Sequence, residues 1–167
     1  VDADRGDVEA FERDHACRQP ASGALLPQSA RAIPCAATEP AHRIAPGFDV
    51  KSYGAFFEVG AALNARHILV AGDDADVARM TANFAALCDA AAPYGLTCDL
   101  EPMPWCPVAS VPDATRIVGG ADRPNGAVLI DALHFFRSAS TLDDVKKLPR
   151  TRLNYAQHIL RNERAGE

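Results

Sequence analysis

From about residue 50 onward, apolar segments of helical and strand periodicity alternate, and this alternation constrains the fold more than any other feature of the sequence. Apolar residues recur at helical spacing in four segments, 52–64, 74–94, 111–121 and 142–148. Short apolar runs typical of buried strands lie between them, at 67–72, 96–101, 126–131 and 153–157. Such alternation favours right-handed crossovers and a parallel sheet. The pattern therefore predicts an α/β protein, either a piece of a (β/α)₈ barrel or a small doubly wound sheet.

Local signals mark where several of these segments begin and end. Asp73 and Asp74 follow the first strand as a predicted helix start, and Gly95 stops the long helix that follows. Thr141 and the acidic residues after it predict the start of the helix at 142–148, because carboxylates suit a helix N-terminus. No glycine-rich phosphate-binding fingerprint follows any predicted strand, which argues against a dinucleotide-binding fold.

The two ends of the chain differ in character from the segment between them. Residues 1–46 contain five of the twelve prolines and show little sustained periodicity beyond a short predicted helix at 7–17. Residues 161–167 form a charged tail. We therefore divide the chain into an irregular, proline-rich segment (1–46), a partial barrel domain (47–160) and the tail.

Composition narrows the classes of function and the compartment. The formal net charge of −5 argues against a protein whose main role is to hold nucleic-acid phosphates. No apolar stretch approaches the roughly 20 residues that span a bilayer, so we expect no membrane partner. The five cysteines are odd in number and form no Cys-x-x-Cys pair, which indicates reduced thiols and a cytoplasmic protein.

Polar side chains end three of the predicted strands. Glu101, Asp131 and Gln157 each follow an apolar run at a strand's carboxyl end, where parallel α/β folds place their chemistry. Period-2 alternation puts Asp99 and Glu101 on the same face, which in a barrel is the interior. Two carboxylates meeting at that rim would repel each other, and a divalent cation would keep both ionised. Oxygen ligands favour Mg²⁺ or Mn²⁺, with Co²⁺ and Zn²⁺ as alternatives.

Each of these residues also has an ordinary structural interpretation. Glu101 stands before Pro102 and could face solvent at the strand end. Asp131 could cap the following helix, and a single histidine such as His134 is often a hydrogen-bonded structural imidazole. The combination of a strand-end Glu, a strand-end Asp-x-x-His and a strand-end Gln is more specific than any of its members.

Residues 47–157 resemble the sugar (phosphate) isomerase/epimerase family, whose members have a xylose isomerase-like TIM barrel. The resemblance is carried by four stretches that together are fairly specific: 60–72, 87–105, 125–138 and 148–157. It implies a partial (β/α)₈ barrel that comprises about strands four to seven of the family's eight.

The resemblance also implies roles for individual residues. Glu101 matches a metal ligand that serves as an acid or base, and Asp131 matches the ligand on the next strand. His134 matches a catalytic histidine that contacts a substrate oxygen near the metal. Gln157 matches a metal ligand on strand seven. Around them, three residues are expected to line the substrate site: Arg137, Ser138 and Trp105.

The implied reaction is isomerisation or epimerisation of a sugar or sugar phosphate, in which a proton is removed next to a carbonyl through an enediolate. Alternatives are a metal-dependent lyase or dehydratase acting on a polyol or sugar acid, or a non-catalytic barrel remnant. A metal-dependent abasic-site nuclease is disfavoured because the strand-end set is not rich in histidine. The sequence does not identify the sugar, its phosphorylation or the metal.

The family's strand-eight glutamate has no counterpart after residue 157, where His158 begins the final segment. We interpret the chain as a barrel remnant whose ends are consistent with a truncated reading frame. An incomplete barrel leaves sheet edges open, so we expect homo-oligomers to form through these edges.

Overall fold

The structure is a computed structural model that describes the backbone of residues 32–33 and the whole of residues 43–157. Within these residues the strands are β1 (Ala32–Ile33), β2 (Arg43–Ile44), β3 (His67–Gly72), β4 (Thr97–Glu101), β5 (Gly126–Asp131) and β6 (Leu153–Gln157). The α-helices are α1 (Gly54–Ala62), α2 (Val77–Ala91), α3 (Val111–Ala121), α4 (Ala132–Arg137) and α5 (Leu142–Lys147). Short 3₁₀ helices occupy Val50–Tyr53, Ala92–Tyr94 and Arg150–Arg152.

All of these strands are parallel and belong to one sheet, in the order β1-β3-β4-β5-β6. The strand β2 also pairs with β3, so β1 and β2 flank opposite ends of the same strand, with Ala32 opposite His67 and Ile44 opposite Gly72. From β3 to β6 the spatial order follows the chain order, as in the wall of a barrel, whereas a doubly wound sheet reverses direction. The predicted partial barrel with parallel strands is therefore confirmed.

The predicted bounds of β3, β5, β6 and α3 agree with the structure, and other elements differ. The helix predicted from Asp74 begins at Val77, because the side chain of Asp76 accepts the Arg79 N–H at 3.0 Å and caps the helix. Asp74 instead accepts two hydrogen bonds from the Arg79 guanidinium. The helix α4 was not among the predicted segments.

Residues 1–46 were predicted to be irregular, yet β1 and β2 lie in this segment. Each is two residues long and therefore leaves no periodic signal in the sequence. The helix predicted at 7–17 and the tail at 161–167 fall outside the described residues.

The two faces of the sheet have different roles. One face packs against α2 and α3 and forms the main core, which includes Val70, Leu100 and Val128 from the strands and Phe84 and Ile117 from the helices. The opposite face, the inner face of the partial barrel, carries the buried acids. None of the described helices is long and apolar enough to cross a membrane.

Candidate metal centre

Glu101 reaches the inner face because β4 alternates between the two faces. Cys98 and Leu100 are buried in the core between sheet and helices, so Asp99 and Glu101 point the other way. Ala71 of β3 lies opposite Glu101 in the ladder, which puts the carboxylate at the carboxyl end of both strands. The exposed fraction of Glu101 is 2%, so its carboxylate is almost completely removed from solvent.

Asp131 ends β5 and also begins α4. Its Oδ1 accepts the His134 backbone N–H at 3.1 Å, which is the helix-capping role foreseen for it. One turn of helix then returns the imidazole over the strand end, with His134 Nδ1 3.9 Å from Asp131 Oδ1. On its other side, His134 Nε2 lies 3.5 Å from Glu101 Oε1. The short helix therefore brings the imidazole between the two acids.

The three side chains form a compact cluster. One ligand atom from each of Glu101, Asp131 and His134 lies within 4.8 Å of the others, and all three residues are buried. Ligand atoms around one cation with bonds of about 2.1–2.3 Å are at most about 4.6 Å apart. The cluster is therefore only slightly wider than a set of ligands around a single ion.

Several buried polar atoms around this cluster have no hydrogen-bond partner among the described residues. They are Trp105 Nε1, Asp131 Oδ2, His134 Nδ1 and the hydroxyl oxygen of Tyr155. A buried polar atom without a partner costs about 1–3 kcal/mol. Capping engages only one oxygen of Asp131 and leaves the other available, so the capping role and a ligand role are compatible.

Burial disfavours the charged forms of two members of the cluster. Burial, with a smaller contribution from the Asp131 carboxylate, raises the pKa of Glu101 to about 8. Burial lowers the pKa of His134; the Asp131 charge opposes this effect and the Arg137 charge adds to it. An uncompensated pair of buried acids with a neutral imidazole is an environment that a divalent cation would neutralise.

The third predicted metal ligand, Gln157, lies beside the cluster. It is paired with Asp131 in the β5–β6 ladder and is half-buried. Sequence reasoning missed Tyr155, which lies two residues earlier on β6. Burial, then the charges of Asp99 and Glu101, raise the pKa of the Tyr155 hydroxyl. The sequence signal for Tyr155 was its position two residues before Gln157, which puts both side chains on the same face of the strand.

The residues predicted to line the substrate site differ in their surroundings. The Trp105 ring contacts the His134 ring edge to face, with centroids 4.7 Å apart. Arg137 is exposed at the end of α4. Ser138 lies in a structural network, since its Oγ is 2.9 Å from the Phe135 carbonyl oxygen and accepts the Ser140 N–H at 3.1 Å.

Asp99 lies in a separate network on the same inner face as Glu101. His67 Nδ1 donates to Asp99 Oδ2 at 3.0 Å, and Asn154 Nδ2 donates to Asp99 Oδ1 at 2.6 Å. Both carboxylate oxygens of this buried acid therefore have donors, in contrast to Asp131. We assign Asp99 to the packing of the partial barrel.

A family model described as "Xylose isomerase-like TIM barrel" matches residues 40–163. A search of curated proteins found no match.

Solved structures share this fold. A "xylose isomerase-like TIM barrel/4-hydroxyphenylpyruvate dioxygenase fusion protein" has a TM-score of 0.64 at 18% identity, with 70% of this chain and 21% of that chain covered. The IOLI protein with a bound zinc atom has a TM-score of 0.58 at 19% identity over 65% of this chain and 43% of that one. An AP endonuclease of family 2 from Brucella melitensis has a TM-score of 0.57 at 19% identity over 68% of this chain and 50% of that one. The chain thus spans half or less of each of these structures.

Proposed function

Because this chain belongs to the xylose isomerase-like TIM barrel family, we propose that it holds a divalent cation and acts in isomerisation or epimerisation of a sugar or sugar phosphate. The observation that carries the proposal is the approach of Glu101, Asp131 and His134 to within 4.8 Å at the carboxyl ends of adjacent parallel strands. Catalytic groups of α/β barrels are found at that end of the strands.

The donor set fits a divalent cation. Two carboxylates and one imidazole suit Mn²⁺, Mg²⁺, Co²⁺ and Zn²⁺, and the two acids favour Mn²⁺ or Mg²⁺. The partnerless atoms Asp131 Oδ2 and His134 Nδ1 support this fit. We further propose that Gln157, which pairs with Asp131 in the β5–β6 ladder, adds an amide oxygen. A structurally similar protein carries zinc, so Zn²⁺ belongs among the ions tested.

The proposed proton transfer relies on the chain's own residues. Glu101 is proposed as the acid or base, because a bound cation would keep its carboxylate ionised and able to accept a proton from the carbon next to the carbonyl. His134 orients a substrate oxygen beside it, and Arg137 at the end of α4 supplies positive charge for a phosphate or carboxylate. A bound cation would polarise the substrate carbonyl and stabilise the enediolate.

The alternatives differ in the step after proton removal. A lyase or dehydratase would use the same site to expel water, and a barrel remnant would bind without turnover. We place an abasic-site nuclease last, because the net charge is −5 and the described cluster contains one histidine and two acids.

The proposed substrate is a small carbohydrate. The proposed compartment is the cytoplasm, which is supported by the buried cysteines Cys88 and Cys98, neither of which forms a disulfide within residues 43–157.

Metal binding is tested by thermal unfolding with Mn²⁺, Mg²⁺, Co²⁺ or Zn²⁺ against chelator. A ligand that binds only the folded state stabilises it by about 2.7 kcal/mol at about 100 times its Kd. We expect a clear rise in Tm for the wild-type chain and none for Glu101→Gln. Asp131→Asn should also lose the rise, although asparagine keeps the helix cap.

Two control variants separate ligation from general effects on charge and folding. Glu58→Gln removes an exposed acid and should leave both the Tm and its metal dependence unchanged. Asp74→Asn removes a buried acid bonded to Arg79, so it should lower the Tm while the rise with metal persists. If all the variants respond to metal as the wild type does, the proposed site is wrong.

The reaction class is tested by incorporation of solvent deuterium into ketoses and their phosphates, followed by NMR with the metal present. Isomerisation or epimerisation gives deuterium next to the carbonyl with no loss of water, whereas dehydration gives a product lighter by one water molecule. If the metal-loaded protein gives neither deuterium incorporation nor a dehydrated product, the non-catalytic alternative is favoured.

A further inference from the structure

Trp105 is held in a fixed place by its loop. The segment between β4 and α3 contains two backbone hydrogen bonds of its own, Met103 N–H to the Val108 carbonyl at 3.0 Å and Cys106 N–H to the Met103 carbonyl at 2.9 Å. A third bond, from Val108 N–H to the Gly72 carbonyl at 3.3 Å, ties the loop to the end of β3. Cys106 and Val108 are buried, so the loop is anchored next to Trp105.

The indole is placed against the site rather than in the main core. Its ring meets the His134 imidazole at a centroid distance of 4.7 Å and an interplanar angle of 87°. The residue as a whole is half-buried, but its Nε1 is buried and has no hydrogen-bond partner among residues 43–157. Buried tryptophan N–H groups usually find an acceptor, and an unmet one costs about 1–3 kcal/mol.

The nature of the missing partner follows from the chemistry of the group. An indole N–H can only donate, so it cannot bind a cation. Asp131 Oδ2 and His134 Nδ1 are nearby atoms able to accept, yet both also lack partners among the described residues, so the N–H is not directed at either. The N–H therefore needs an oxygen or nitrogen acceptor that neither a cation nor these two atoms supplies.

We propose that the Trp105 indole N–H donates a hydrogen bond to an oxygen of a polyhydroxylated substrate, which makes Trp105 a specificity-determining residue. This inference rests on the proposed function, since it places the substrate at the Glu101–Asp131–His134 cluster. The edge-to-face contact fixes the indole relative to His134, so the two side chains would select an oxygen at one position of the carbon chain. A compound without an oxygen at that position would leave the indole N–H without a hydrogen-bond acceptor and should bind more weakly.

The sequence contains a single tryptophan, so the indole can be observed and altered selectively. In a ¹⁵N-labelled protein, the one indole N–H resonance is followed while xylitol is added in the presence of Mg²⁺. We expect a saturable downfield shift as the N–H gains an acceptor. The five-carbon control 1,5-pentanediol lacks the inner hydroxyls and should leave the resonance unchanged.

Removal of the donor without loss of the ring is the matched test. Growth on benzothienylalanine replaces the indole N–H by sulfur at this one position and keeps the bicyclic ring. Loss of one hydrogen bond of about 0.5–1.5 kcal/mol should weaken xylitol binding about two- to thirteenfold. Trp105→Phe is the genetic equivalent and should weaken it at least as much, while the rise in Tm with Mg²⁺ persists in both proteins.

The results separate this inference from the proposed function. Xylitol binding with an unmoved indole resonance, or with equal affinity in the sulfur analogue, would overturn the role of Trp105. A protein that gains Tm with Mg²⁺ but binds no xylitol would also overturn it and leave the cation site intact. Absence of any rise in Tm with metal would instead contradict the proposed function itself.

Discussion

At the scale of single residues, the cluster depends on side chains that serve the fold and the site at once. Asp131 caps α4 with Oδ1 and keeps Oδ2 without a partner among the described residues. Glu101 is buried with Asp131 close enough to contribute to raising its pKa to about 8. The charged form of Glu101 therefore carries an electrostatic cost in the folded chain, which is typical of functional sites.

The raised pKa of Glu101 predicts how stability depends on pH in the presence of chelator. A carboxyl whose folded pKa exceeds its usual value of 4.5 stabilises the fold below 4.5, and this contribution is lost as the pH rises through about 8. The free energy of unfolding should therefore increase by about 1–2 kcal/mol between pH 8 and pH 6.5. Urea unfolding at the two pH values measures this change.

The Glu101→Gln variant should show little of this increase, because glutamine does not titrate. The window stops at pH 6.5 because the lowered pKa of His134 acts in the opposite direction below its usual value of 6.5. An equal pH dependence in the variant and the wild type would show that another group is responsible.

At the scale of elements, the loops after β3, β4 and β5 build the site at one end of the sheet. The loop that carries Trp105 lies directly on the end of β3, at Gly72. A Cβ at Gly72 would be 2.4 Å from Val108 Cγ2, which is far inside van der Waals contact. The close approach of the Trp105 loop to the end of β3 therefore requires glycine at position 72. This contact fixes the position of the loop beside the site.

The variant Gly72→Ala should lower the free energy of unfolding by about 1–3 kcal/mol, because the added methyl group overpacks the contact with Val108. It should also shift the indole N–H resonance of Trp105, because the loop must move. Chemical denaturation and the ¹⁵N spectrum report the two effects.

A second glycine provides the matched control. Gly119 lies in α3, and a methyl group added there would have nothing within 4 Å, so Gly119→Ala should stabilise the chain by about 0.4–1 kcal/mol. If the two alanine variants behaved alike, steric contact at Gly72 would not be the cause.

At the scale of the whole molecule, the sheet that the described residues form is part of a barrel wall. Within the described residues β6 has a strand partner on one side only, namely β5. Asn154 and Ala156 of β6 are exposed. An unpaired strand edge is a template for pairing with another chain.

We predict that the chain self-associates through β6. Sedimentation velocity should show a mass that increases with concentration, and Ala156→Lys should shift the distribution towards monomer because an edge lysine opposes strand pairing. Lys substitution at exposed Ala55 on α1 is the control and should have no effect. A compact wild-type monomer at every concentration would contradict this prediction.

Much of the fold was accessible from periodicity. The bounds of β3 and β5 were predicted because each is a short apolar run, and those of β6 because apolar and polar residues alternate along it. The helix α4 was missed as a segment, although Asp131 was recognised as a possible cap, because it follows β5 directly and lacks a capping box such as the one that marks α5. Tyr155 was missed because a lone aromatic in a strand usually indicates packing.

The sequence alone determined most of the order of helices and strands, the face of each strand that is polar, and the identity of Glu101 and Asp131 as polar residues at adjacent strand ends, with His134 three residues after Asp131. These properties are local, because they depend on residues only a few positions apart. Only the tertiary structure decided that the three side chains meet, that Asp131 keeps one oxygen without a partner in the described chain, and that the Trp105 indole faces His134. Strand register, burial and loop docking set those distances, and they arise from contacts between residues that are far apart in the sequence.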